Sequence, residues 1–244
     1  MGCSSVNPEQ FCGDLRALPP AGSVSPGTFT IYCMTRRPLL PLADYQRIYQ
    51  VIYSVLETTR IATTHRACPF FATAGVTILQ KHYGLPATLS VGALALMVDE
   101  KRANVVVFGR QENGEWVHDS KGFHAWVECN GWLVDFMAPI MGVALKEDGV
   151  GFDVPRNMLQ KPLADRKDDP REIQHVGEFY CHSDKALAEA LIDSQPAEFM
   201  DLLHVCETWF RKPPKALLPI ALGGTDVQAP KPLVLRAPAI GGVW

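Results

Sequence analysis

The chain has 244 residues, 47% of them hydrophobic and 20% charged, with a formal net charge of −3. That length supports a substantial core in one large domain, with or without appendages. The slightly acidic balance and the lack of a basic run exclude an obvious nucleic-acid surface or anionic-membrane patch, and no apolar stretch reaches the roughly 18 residues of a spanning helix.

The N-terminal "MGCSSVNPEQ" lacks the charged and apolar regions of a signal peptide. Val6 stands where a myristoylation signal wants Ser or Thr. The seven cysteines are odd in number and scattered, with no paired CxxC spacing. Such usage suits a reduced, cytoplasmic compartment better than a disulfide framework or a zinc ribbon. Residues 1–40 read as an irregular arm with one short strand at "TFTIYCM".

From Asp44 to about Ala62, Ile48, Val51, Ile52 and Val55 recur at helical spacing, with Asp44 as the expected cap. "HRACPFFATAGVTILQKHYGLP" follows. Pro69 suits a first helical turn, which makes Cys68 the expected N-cap residue. Phe70 to Leu79 is apolar on almost every side, as in a helix buried mid-domain. Gly84 and Pro86 end it. "ATLSVGALALMV" (87–98) and "ANVVVFG" (103–109) read as strands joined by the charged turn "DEKR". Sheet following helix, without alternation, predicts an α+β fold with an antiparallel sheet.

"FHAWVECNGWLVDF" (123–136) carries the chemistry. Asn-Gly between apolar runs specifies a type I′ hairpin. A two-residue turn pairs Cys129 with Trp132, so paired residue numbers sum to 261. Asp135 then lies opposite Trp126, and His124 and Asp135 become diagonal neighbours on one face. A thiol at the start of the preceding helix meets the positive end of the dipole and free N–H groups, which favour thiolate. Cys68 as nucleophile, His124 as base and Asp135 as orienting acid make an acyl-transfer set. The helix end offers backbone donors to an oxyanion.

Residues 138–175 read as polar and irregular, a cover or a loop with short helices. Two helices are expected at 183–194, capped by Ser183, and at 197–212. From Pro213 a Pro- and Gly-rich tail ends in an exposed-looking "GGVW". The expected organisation is an arm (1–40), one α+β domain (41–212, core 60–140) and the tail (213–244). His118, Asp119, His124 and Cys129 match no zinc spacing, so neither metal nor cofactor is expected. Trp126 and Trp132 are read as packing residues, and Glu128 as a solvated or paired strand end.

The Cys at the start of a buried helix, then sheet, then "HAWVE" and "GWLVDF", resembles the transglutaminase-like superfamily over roughly residues 60–140. The resemblance implies a papain-like core and a triad in the order Cys68, His124, Asp135. Arylamine N-acetyltransferases and lasso-peptide leader proteases share that order. It implies a peptide, amide or acyl-thioester substrate, with hydrolysis or transfer through a thioester. Pro69 departs from the aromatic or small residue often found after the Cys. No side-chain oxyanion donor is assigned, His65, Arg66 and Gln80 being the nearest candidates. An inert binding protein that keeps the fold, and a small-molecule N-acyltransferase, are the competing expectations.

Overall fold

Ile48, Val51, Ile52 and Val55 are all fully buried in α1 (Leu42–Thr59). Asp44 does not cap this helix: Pro41 holds the N-cap, and Asp44 lies in the first turn, where its charge faces the positive end of the dipole. The computed structural model describes residues 37–112, 115–211, 216–223 and 229–244. The "TFTIYCM" strand and nearly all of the N-terminal arm fall outside them.

Helix α2 (Cys68–Tyr83) follows a short 3₁₀ turn. Ala67, not Cys68, is its N-cap, so Cys68 is the first helical residue and Pro69 the second. Gly84 ends the helix in the left-handed conformation, φ 64°. Gly75 is where α2 meets the sheet: a Cβ there would come 2.5 Å from the Phe136 ring and 3.2 Å from Val127.

β1 (Thr88–Asp99) and β2 (Asn104–Phe108) are antiparallel, turning through Glu100–Arg102. A small hairpin, β3 (Arg110–Glu112) and β4 (Glu115–Val117), leads to β5 (His124–Cys129) and β6 (Trp132–Asp135). The main sheet has the order β11-β7-β6-β5-β1-β2. Its remaining members are β7 (Asn157–Pro162), the parallel β11 (Gly242–Val243), and β8 (Phe179–Ser183), which pairs with β1. Residues 94–96 of β1 pair with both β2 and β8, so these lie on opposite edges of it. β5 continues the line of β2. Phe108 and His124 stack at 4.1 Å, and a Cβ on Gly122 would come 3.0 Å from Gly109. The β3–β4 hairpin is thus an excursion out of one interrupted strand, leaving and re-entering beside His124.

Residues 138–175 hold more structure than their polarity suggests: α3 (Met141–Glu147), β7 and three 3₁₀ turns. The sequence of β7, "NMLQKP", hides its burial. Gln160 is 4% exposed because its side chain both accepts from Leu40 N and donates to Leu40 O. Beyond β8, α4 (Lys185–Asp193) is capped by Asp184, whose carboxylate accepts from Leu187 N. Ser183 instead ends β8. α5 (Ala197–Trp209) packs beside α2, with Phe70 and Phe199 edge to face at 5.3 Å. The C-terminal "GGVW" is exposed at Gly241 and Val243 as expected, but Trp244 is buried, and Gly242 and Val243 pair with β7.

The architecture is therefore α+β on a largely antiparallel sheet. α1, α2 and α5 bury one face through Val91, Ala125, Val127 and Val134. α3 and Trp244 help close the other, over Leu96, Phe108, Trp126 and Leu133. Among the described residues no helix is long and apolar enough to cross a membrane.

Candidate active site

The hairpin forms in the expected register. Val127 pairs with Val134, Glu128 with Leu133 and Cys129 with Trp132. Asn130 and Gly131 take the positive φ values, 50° and 76°, that a type I′ turn demands. The consequence is direct contact between the diagonal neighbours. His124 Nε2 lies 2.9 Å from Asp135 Oδ2. Both are sealed, at 0% and 1% exposure.

Asp135 is itself held on two further sides. Its Oδ1 accepts from Met137 N at 2.8 Å. Its backbone carbonyl accepts from the Tyr45 hydroxyl of α1. Burial and then the neighbouring Asp135 charge push the Tyr45 phenol far above its ordinary range, so it stays a donor. The carboxylate thus has one oxygen fixed by backbone and the other aimed at the imidazole.

Two opposing effects act on His124. Burial alone pulls its pKa down, and the Asp135 carboxylate and then the Cys68 thiol push it up. The upward causes win, and the value rises from 6.5 to about 10. The imidazole therefore carries a proton at neutral pH, stacked on Phe108 with ring planes 23° apart. With Nε2 taken by Asp135, Nδ1 is left over; it is buried and completes no hydrogen bond. Cys68 is close enough to act electrostatically on the ring, yet it is not seated in hydrogen-bond geometry on Nδ1. Cys68 is 6% exposed, the most of the three.

The segment before Cys68 is clamped from the far face of the sheet. Arg66 reaches Asp148 Oδ1 at 2.6 Å and the Ala144 carbonyl at 3.4 Å, and His65 reaches Glu147 at 2.8 Å. Gln80 donates to the Ala87 carbonyl at 2.8 Å. These three nearest polar side chains thus brace the helix.

Residues 41–244 match the family of proteins of unknown function DUF2026. The chain belongs to that family. It is also similar to a crystal structure described as genomics APC5867, at 31% identity and a TM-score of 0.71, over 85% of this chain and 98% of that one. No curated protein matches it.

Other polar residues of the hairpin in this DUF2026 chain do not join the site. Trp126 is fully buried and donates to Glu128 Oε1 at 3.1 Å, so the two satisfy each other. Asp119 is bonded to Arg110 at 2.7 Å, inside the β3–β4 excursion. His118 lies 3.6 Å from Asp184. Cys181 is buried and its neighbour His182 exposed, as strand alternation requires. Phe108 and Tyr45 are the neighbours of the His124–Asp135 pair that sequence reasoning missed. Sixteen positions separate Phe108 from His124 in the chain. Only the return of the β3–β4 excursion to the same strand line could have signalled their contact.

Proposed function

We propose that this protein is a cysteine-dependent acyl-transfer enzyme with a papain-like, transglutaminase-like core. It acts on a peptide, an amide or a related acyl group through a thioester. One observation carries the reading: a sealed His124–Asp135 pair with Cys68 beside it at a helix N-terminus.

The steps balance with these residues alone. The Cys68 thiol proton resides on Nδ1 of His124, and Sγ attacks the acyl carbon. The Cys68 and Phe70 amides are the helix-end donors available to the oxyanion; Pro69 has none. The carbon–nitrogen bond breaks as His124 returns the proton to the leaving amine. Water or a second amine then attacks the thioester while His124 takes its proton, and the carbon–sulfur bond breaks to release Cys68 as the thiolate, which restores the starting ion pair. Asp135 holds the imidazole throughout.

A second reading, an inert binding protein on the same fold, draws on the burial of all three side chains. Brief iodoacetamide treatment at about pH 6, with the modified cysteine mapped by mass spectrometry, separates the two. Selective labelling of Cys68 that is lost in His124→Ala supports the enzyme. Labelling of other cysteines with Cys68 untouched supports the inert protein.

A further inference from the structure

β1 is paired along one edge by β5 at residues 88–92 and by β2 at 94–99. Along the other edge β8 covers only 92–96. Among the described residues no strand lies beside that edge at 88–91. The hairpin fixes which backbone groups point there. Cys129 and Trp132 flank a two-residue turn and bond each other, so by alternation Glu128 and Trp126 bond the other way, to Thr88 and Ser90. Leu89 and Val91 therefore direct their N–H and C=O groups outward. A second observation agrees: Asp184 N donates to Val91 O at 2.7 Å. Leu89 N–H and C=O face the gap, while Val91 is fully buried with its carbonyl taken by Asp184.

α4 runs alongside this edge, and strand and helix enclose a trough of about 630 Å³. That lies within the roughly 300–1,000 Å³ of ordinary ligand sites. Leu89, Val91, Ala188 and Ile192 supply its apolar lining. Its charged lining is Asp184, Glu189 and Asp193 against Lys185, which lies 3.6 Å from Glu189. The trough is thus net acidic.

We infer that this trough binds an extended, basic polypeptide segment as an added strand on β1, running beside α4. A strand edge on which Leu89 presents both its N–H and its C=O pairs with a backbone that returns one C=O and one N–H, which selects an extended peptide. The carboxylate excess selects basic side chains on it. The site is independent of the chemistry at Cys68. Gly92 separates the two: it pairs with His124 on one edge and with Ser183 on the other.

The probe is a fluorescein-labelled acetyl-Lys-Val-Lys-Val-Lys-Val-amide, titrated with the full chain at low salt and read by anisotropy. Saturable binding is expected, weakened about tenfold or more by N-methylation of alternate peptide amides. Leu89→Pro should do the same, since it removes an outward N–H and leaves the β5 ladder intact. If Leu89→Pro fails to fold, Asp193→Lys, on the exposed rim, decides with a loss of about threefold or more. Cys68→Ala should bind as the wild type does. Equal binding of the N-methylated peptide, or of its glutamate counterpart, overturns the proposal. So does no binding at all, or a dimer in sedimentation that the peptide does not dissociate. A loss of peptide binding in Cys68→Ala would move the segment to the cysteine and overturn a separate site.

Discussion

Asp135→Asn changes almost no volume and removes one charge, and the geometry says what must follow. With the amide oxygen on Met137 N, the amide nitrogen faces His124 Nε2, where the carboxylate now accepts at 2.9 Å. Nε2 must then be the acceptor, and the ring proton moves to Nδ1. Flipping the amide restores the bond to His124 but sets two donors against each other at Met137. Either way one buried hydrogen bond is lost or inverted. The imidazole also loses the largest cause that raises its pKa, and burial, the dominant effect, is left to pull it down. We expect His124 to titrate below 6.5 in this variant instead of at about 10.

Linkage turns that into a stability test. The folded pKa of His124 is raised, so its stabilisation is complete below 6.5 and is lost as pH climbs to about 10. The stability gap between wild type and Asp135→Asn should be widest at and below pH 6.5, where the variant's buried imidazole gains its proton only on unfolding, and should narrow toward about pH 10. A charge-assisted buried hydrogen bond contributes about 1.5–3 kcal/mol. At roughly 2–4 °C per kcal/mol for a domain of this size, the gap in Tm should be about 3–12 °C at the acid end. Thermal melts across that range measure it, and histidine-ring NMR reads the titration directly. An equal Tm gap at both ends, or an imidazole that titrates alike in both proteins, would refute the electrostatic account of the pair.

Tyr45→Phe leaves the Asp135 carbonyl without its buried donor and should cost about 1–3 kcal/mol in denaturant unfolding, with His124 still titrating near its wild-type value. Gly92→Ala places a Cβ 1.9 Å from the His182 carbonyl oxygen, so the backbone must move. Its expected signature is faster amide exchange in β8 than in β6, and equal protection of both strands would show that β8 absorbs the change.

The parts legible in the sequence were those written over short spans. Asn130-Gly131 is a local instruction, and it delivered the register, the shared face and the His124–Asp135 contact. Gly84 likewise announced its helix end. Caps were legible only to within a residue or so, because several polar side chains compete near each helix start. Asp184 wins over Ser183 because Ser183 is still committed to β8. β7 was invisible because its buried glutamine is satisfied by Leu40, 120 positions away. The same reason hid the burial of Trp244: its strand pairs in parallel with a partner some 85 residues earlier.

The candidate site divides along that line. His124 and Asp135 are placed by a turn, at almost no cost in loop closure. Cys68 is placed by long-range packing: Gly75 lets α2 approach Phe136, and the Arg66 clamp to α3 sets where the helix begins. A one-residue slip of the hairpin would abolish the pair outright. A shift of α2 by a fraction of an ångström would leave the pair whole and only move the sulfur. The thiol that acts on His124 without a formed hydrogen bond is the expression of this difference. The imidazole and the carboxylate are set within one hairpin, and the place of the sulfur relative to Nδ1 is set separately, by how α2 packs.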